Sequence, residues 1–432
     1  MKIVQITPSS GDSFYCENCL RDAELTAQMH RLGHDVSVLP MYLPLPADWQ
    51  QYAKAVPSSP IFFGGVNVYL QQKSAFFRST PRWLDKILDN PYLLRWAGRR
   101  AGLTSAKELA QTTISMLQGG AGRQKKELDR LLDWLAGQDK PDVVVLSNAL
   151  LVGLAGDIKK KIGSPVVILL QDEDGFLDGL GSPYAQQAWD IVAESSKSVD
   201  LFVAVSRYYG DVMQKRLGLN VDRLKVIFPG VRPADYKPAD APPATATIGF
   251  LSRQCYDMGL DILADAFIEL KKRTNMHNIR LRISGGKRVD DETFIQSVRQ
   301  KLSSAGVIDD VEFLPDFERA SRLAFLQSLS VLSVPARQPA AYGLFAIEAL
   351  ACSVPVVEPA CGVFPELIEQ TQGGLLYEPD KPAALADSLE KLLLDKDYAA
   401  HLGKNGRRAV LEKFNIERSA ERLIDLYKTI GK

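Results

Sequence analysis

KIVQITPSSGDSFYCENCLRDAELTAQMHRLGHDVSVLP, residues 2–40, decides the fold. Residues 2–6 form a β-branched run of the kind buried on both faces, residues 8–11 read as a loop, residues 20–32 as a helix, and residues 34–39 as a second strand. That order is a βαβ unit, whose strands run parallel. Further strands are expected at 143–146, 166–170, 201–205 and 225–228 with helix-length segments between them, so the first half reads as a doubly wound parallel sheet. PGVRPADYKPADAPPATAT, residues 229–247, is rich in Pro and Ala, lacks hydrophobic periodicity and reads as a linker. The alternation restarts with strands at 248–251, 280–284, 311–314, 331–334 and 354–357. Between the first two, Leu263, Phe267 and Leu270 recur at helical spacing and give one apolar stripe. Residues 382–430 read as helix, with no strand left to feed. The expected architecture is α/β: an N-terminal domain over 1–228, a linker over 229–247, a second domain over 248–414, and a helix over 415–432 that crosses back to the first domain.

A chain of 432 residues is long enough for two such cores. Its 46% hydrophobic and 24% charged content excludes intrinsic disorder. Lys plus Arg and Asp plus Glu balance at 52 each, so no overall field favours nucleic acid, and none is expected as a partner. The N-terminal apolar run is too short for a signal peptide, and no later run has the roughly 18 apolar residues of a membrane span. A cytoplasmic protein is the expectation. Five cysteines, a low and odd number, fit reduced thiols and not a disulfide framework.

Two local features stand out. Residues 73–100 carry seven Lys or Arg against two Asp, interleaved with Phe76, Phe77, Trp83, Tyr92 and Trp96. Such a basic aromatic insertion can lie on an anionic membrane surface, here the inner face, or grip a lipid-linked acceptor; equally it can be a hairpin packed on its own domain. Cys16, Cys19, His30 and His34 are spaced C-x2-C-x10-H-x3-H, superficially like a zinc finger. Gly33 and the following strand put His34 in a turn, off the helical face of His30. Zinc is therefore set aside and no metal is expected.

Three stretches of the second half resemble the family-4 retaining glycosyltransferases of GT-B fold. IGFLSRQCYDMGLDILADAF, residues 248–267, is similar to the family's strand, Arg and helix start. LRISGG, residues 281–286, is similar to its Gly-rich strand end. Residues 340–380, from AAYGLFAIEAL to GGLLYEPD, resemble the Glu-x7-Glu segment, the Pro-Val-Val strand and the Gly-x-x-x-Glu loop. Residues 10–46 resemble the opening of a bacterial branch of the same family. The resemblance is strongest over 248–380 and weak over 61–140.

It implies two Rossmann-like domains facing a cleft, and transfer of a sugar from a nucleotide diphosphate sugar to a glycan or lipid-linked acceptor. The donor would bind the second domain, and no cofactor is needed beyond it. Gly343 precedes a helix through Glu348, where open amides can hold phosphate or sugar hydroxyls. Glu348 would accept the ribose hydroxyls, or else is a solvated helix residue. Arg253, at the C-terminal edge of a strand, would hold the diphosphate and stabilise leaving-group charge, or else is a surface salt bridge. The resemblance adds Gly285, Tyr342 and Leu344 to the donor site. It also adds Gly11, whose backbone would approach the donor and which a plain turn explains almost as well. Asp172, in the acidic loop Asp172-Glu173-Asp174 with Asp178, would supply a base or bind acceptor hydroxyls; a solvated loop is the alternative.

The sequence departs from the family at three polar positions. Ala340 stands at the first Glu of the Glu-x7-Glu motif, Met258 at the Lys five residues after Arg253, and Gln171 at the His beside Asp172. A divergent active site follows, and with it two functions: a working transferase with an altered donor site, or a catalytically impaired binding or scaffold protein that kept the fold. Retention needs no protein nucleophile in the usual proposal, because the donor phosphate assists attack on its own face. Another two-domain α/β enzyme, such as a sugar-nucleotide epimerase, is not excluded by fold.

Overall fold

The computed structural model describes residues 1–8, 14–42, 62–81 and 106–430. Gly11 and residues 82–100 of the basic insertion lie outside them. The chain forms two compact units. One comprises Met1–Gly11, Asp22–Ile227 and the residues from Ala420 onward; the other comprises Asp12–Arg21 and Phe228–Ser419.

The first unit is built on six parallel strands: β1 (Lys2–Thr7), β2 (Asp35–Pro40), β3 (Val143–Ser147), β4 (Val166–Leu170), β5 (Leu201–Ala204) and β6 (Leu224–Val226), in the order β2-β1-β3-β4-β5-β6. β1 pairs with both neighbours, Lys2 opposite Asp35 and Ile3 opposite Val143, and β2 begins one residue later than expected. The runs VVVLS of β3 and VVILL of β4 are buried throughout, as expected of strands covered by helices on both faces. The helix Glu17–Arg31 begins three residues earlier than the apolar pattern suggests, because Cys16 and Glu17 supply a cap and a first-turn acid.

The second unit has its own six strands: β7 (Thr247–Leu251), β8 (Arg280–Ser284), β9 (Val311–Phe313), β10 (Val331–Leu332), β11 (Val356–Pro359) and β12 (Gly374–Tyr377). Their order is β12-β11-β10-β7-β8-β9, with every pair parallel. Counted within the unit this is the 3-2-1-4-5-6 order of a Rossmann sheet. Its order reverses between β7 and β10, where such sheets take ligands beyond the strands' C-terminal ends. Phe250, Leu263, Phe267, Ile283, Val331 and Val357 fill the core between sheet and helices.

Several expectations need correction. β12 goes unread in the sequence because its four residues, GLLY, preceded by a second glycine, give it almost no periodicity. β11 lies two residues later than expected, the turn at Ser353 having a left-handed φ of 61°. The Pro-rich stretch is no free spacer: its residues cluster with the second unit, Val231 pairs with Asn415, and Tyr236 is buried. Among the described residues no helix is long and apolar enough to cross a membrane.

Candidate functional site

The C-terminal edge of the second sheet carries the groups that the sequence singles out. Gly285 directly follows β8 at φ 119°, and a Cβ there would sit 2.2 Å from the Ser252 carbonyl oxygen, so backbone runs where any side chain would collide. Arg253 follows β7. Its Nε and Nη2 donate to the two Asp291 oxygens at 2.7 and 2.6 Å, a bidentate pair that holds the guanidinium flat and in place. Arg253 is thus half-buried and braced, not a loose surface salt bridge.

Glu348 sits on the helix Leu344–Ala351, LFAIEALA, all eight of whose residues are buried. A helix with no polar face must place its one carboxylate inside. Glu348 is 1% exposed, which rules out the solvated reading. Its Oε1 accepts from Arg322 Nε at 3.0 Å and from the Tyr236 hydroxyl at 2.5 Å, and its Oε2 accepts from the Tyr15 hydroxyl at 2.8 Å. Both oxygens therefore have partners within the chain: Oε1 accepts two hydrogen bonds and Oε2 one.

The five residues Phe14–Asn18, which belong to the second unit, touch almost every donor-side candidate. The Phe14 ring lies 5.7 Å from the Arg253 guanidinium and 4.8 Å from that of Arg288. Tyr15 donates its amide to the Gly285 carbonyl at 2.7 Å, and its hydroxyl reaches Glu348. The Glu17 carboxylate accepts the Leu344 amide at 2.6 Å, and Asn18 accepts the Tyr342 hydroxyl at 2.6 Å. Five extended residues span at most about 18 Å. Arg253, Gly285, Tyr342, Leu344 and Glu348 are therefore gathered into one patch, with Gly343 at the start of its helix packed against the Phe364 ring. A carboxylate on the first amide of a helix is what that terminus favours electrostatically, and Glu17 provides it from the same chain.

The acidic loop belongs to the first unit. Asp172 is exposed at φ 65°, at the start of the helix Glu173–Asp178. Its neighbour Glu173 is the buried carboxyl of the loop, so the solvated reading fails for that residue. Glu173 accepts the Ala149 amide at 2.9 Å, the Gln171 amide at 2.6 Å and the Tyr209 hydroxyl at 2.6 Å. Burial pushes its carboxyl up to about 7, against the pull of those donors. Gln171 is buried and donates to Ser147 at 2.7 Å, while Asp178 pairs bidentately with Arg216. Ala340 and Met258 are half-buried in their loops.

Sequence reading passed over Tyr15, Tyr236, Arg288, Asp291 and Arg322, and it named Glu173 only as a member of the acidic loop. Arg322 had a signal: with Phe325 and Leu326 it falls on one face of the helix Arg319–Gln327, so a charge was aimed inward and needed a partner. Tyr236 had none, since the prolines around it hide its burial.

Cys16 and Cys19 face each other across the first turn of the helix Glu17–Arg31, with sulfurs 2.7 Å apart. His34 lies beyond the helix, its Nδ1 3.2 Å from the chain's amino terminus.

Two tandem Rossmann-like domains of parallel strands define the GT-B fold. The pattern of "Glycosyl transferases group 1" matches residues 232–409, and that of "Glycosyltransferase Family 4" matches residues 118–235. The chain belongs to this family of GT-B glycosyltransferases. It is 28% identical to a D-inositol 3-phosphate glycosyltransferase of Rhodococcus opacus, over 57% of this chain and 56% of that one. It thus spans about half the length of the curated relatives it matches. The fold resembles sucrose-phosphate synthase from Thermosynechococcus elongatus, at TM-score 0.74 and 16% identity, over 100% of this chain and 99% of the other. It also resembles Anabaena HepE in complex with UDP, at TM-score 0.72 and 15% identity, over 99% of this chain and 100% of that one.

Proposed function

We propose that the chain moves a sugar, with retention at the anomeric carbon, from a nucleoside diphosphate sugar to an acceptor hydroxyl on a glycan or lipid-linked molecule. The observation that carries this reading is the patch at the β7–β10 reversal, where Arg253, the Gly285 backbone, Glu348 and the start of the helix Leu344–Ala351 converge. Arg253, braced by Asp291, is placed to take the diphosphate and the charge that grows on it as the bond to the sugar breaks. Gly285 allows the backbone to come close, and the Leu344 amide offers a donor once Glu17 leaves it. Asp172 is the acceptor-side carboxylate. The relative solved with UDP makes UDP the first nucleotide to test. Exposed Phe76 and the basic residues that follow it would meet a lipid-linked acceptor at the cytoplasmic membrane face.

The second reading, a binding protein, draws on the internal partners of Glu348 and Arg253 and on Ala340, Met258 and Gln171 standing where the family has polar groups. Titration calorimetry with UDP, GDP and ADP, followed by an assay for release of the nucleoside diphosphate from UDP-sugars, separates them. The transferase reading expects binding that Arg253→Ala abolishes, together with turnover. No nucleotide binding, or binding without turnover on any donor and acceptor pair, overturns the transferase reading and supports the second; turnover overturns the second.

A further inference from the structure

We infer that Cys16 and Cys19 are a reversible dithiol–disulfide couple whose oxidation holds the segment Phe14–Asn18 on the donor patch. The inference about donor access rests on the proposed donor site; the disulfide itself does not.

Four observations carry it. The two sulfurs are 2.7 Å apart, so less than about 1 Å of movement brings them to the roughly 2.05 Å of a bond. Cys16 is the residue before the helix Glu17–Arg31, and its sulfur accepts the Cys19 amide at 3.4 Å, the geometry of a helix cap. A helix N-terminus is the positive end of the helix dipole, the position at which thiol exchange is favoured. The Arg288 guanidinium lies 4.8 Å from the ring of Phe14, two residues before Cys16, and brings positive charge to this segment. Both cysteines are partly exposed, so a small disulfide can reach them.

The chemistry balances with one co-reactant, a low-molecular-weight disulfide such as oxidised glutathione. The Cys16 thiolate attacks one of its sulfurs, forming a mixed disulfide and expelling one glutathione thiolate. The Cys19 sulfur, after losing its proton, attacks Cys16 and expels the second. One S–S bond forms in the protein, one breaks in the reagent, and two electrons and two protons end on two glutathione thiols.

The link to donor access is the identity of the two residues enclosed. Glu17 and Asn18 lie between the cysteines, and they hold the Leu344 amide and the Tyr342 hydroxyl. A disulfide across 16–19 removes torsional freedom from those residues and keeps Glu17 aimed at Leu344, so displacing the segment becomes harder. Reduction restores that freedom.

The test uses the full chain in glutathione buffers of graded ratio, quenched with an alkylating agent. Five cysteines alkylate in the reduced, denatured protein, and two fewer after oxidation, with peptide mapping showing Cys16 and Cys19 protected. UDP is then titrated into both forms and into Cys16→Ser/Cys19→Ser. The expected result is about tenfold weaker UDP binding by the oxidised form, a difference of ~1.4 kcal/mol, and redox-independent binding by the double variant. Failure of this pair to oxidise at any ratio overturns the couple. Oxidation with unchanged UDP affinity overturns the control of access. If neither form nor the double variant binds UDP, the donor-site reading fails, and the thiol count alone decides the disulfide.

Discussion

Removing the Glu348 carboxylate should destabilise the second unit before it affects any ligand. Glu348 and Arg322 have side chains each 2% exposed, and Glu348 also takes the hydroxyls of Tyr15 and Tyr236. In Glu348→Ala the guanidinium stays buried with its counter-charge gone, which costs about 3 to 5 kcal/mol. The two stranded hydroxyls, each worth about 1 kcal/mol, push the loss to the upper end of that range. For a unit of about 200 residues each kcal/mol shifts the midpoint by about 2 to 4 °C, so the transition should fall by roughly 10 to 20 °C. Scanning calorimetry, with urea unfolding as a check, reads this directly. Replacing the pair together, as Glu348→Leu with Arg322→Met, should recover more than half of the loss because no charge is left buried alone. A Glu348→Ala protein within about 1 kcal/mol of wild type would refute the reasoning. It would mean that the carboxylate is held for a ligand and contributes nothing to the folded chain by itself.

Three further outcomes are expected. Because burial raises the Glu173 carboxyl from about 4.5 to about 7, the folded state holds a proton that the unfolded chain has released between those values. Stability from this group is full below pH ~4.5 and falls by about 3 kcal/mol as pH rises to ~7. Thermal unfolding of Glu173→Gln should lose that part of the pH slope, and a slope identical to wild type would remove Glu173 as its source. Gly285→Ala forces a side chain to φ 119° and into the Ser252 carbonyl, so at least about 2 kcal/mol of stability and UDP binding should be lost together; normal melting and normal binding would show that the backbone there can yield. Met258→Lys restores a cation five residues after Arg253 and should tighten UDP binding roughly tenfold at low salt. No change in calorimetry would place the diphosphate elsewhere.

The strands of both sheets were largely legible because the central ones, VVVLS and VVILL above all, are short β-branched runs between turn residues, as strands covered on both faces demand. The two-residue β10 was expected to be longer, and β12 was missed, since neither is long enough to show a period. Arg253, Gly285 and Glu348 were legible as candidates through the family resemblance. Their partners were not: Asp291 is 38 residues from Arg253, Tyr236 is 112 from Glu348, and Tyr15 is 333 from it.

The sequence by itself determined the α/β class, the tandem of two parallel sheets and the family. Those properties follow from local hydrophobic period and from short motifs that keep their spacing along the chain. Only the tertiary structure decided that Phe14–Asn18 pack on the second unit, that Glu348 is buried against Arg322 and two tyrosines, and that Glu173 is the inward carboxyl of the acidic loop. A buried charge depends on what surrounds it in space, and no local pattern records which distant residue will supply the counter-charge or the hydroxyl.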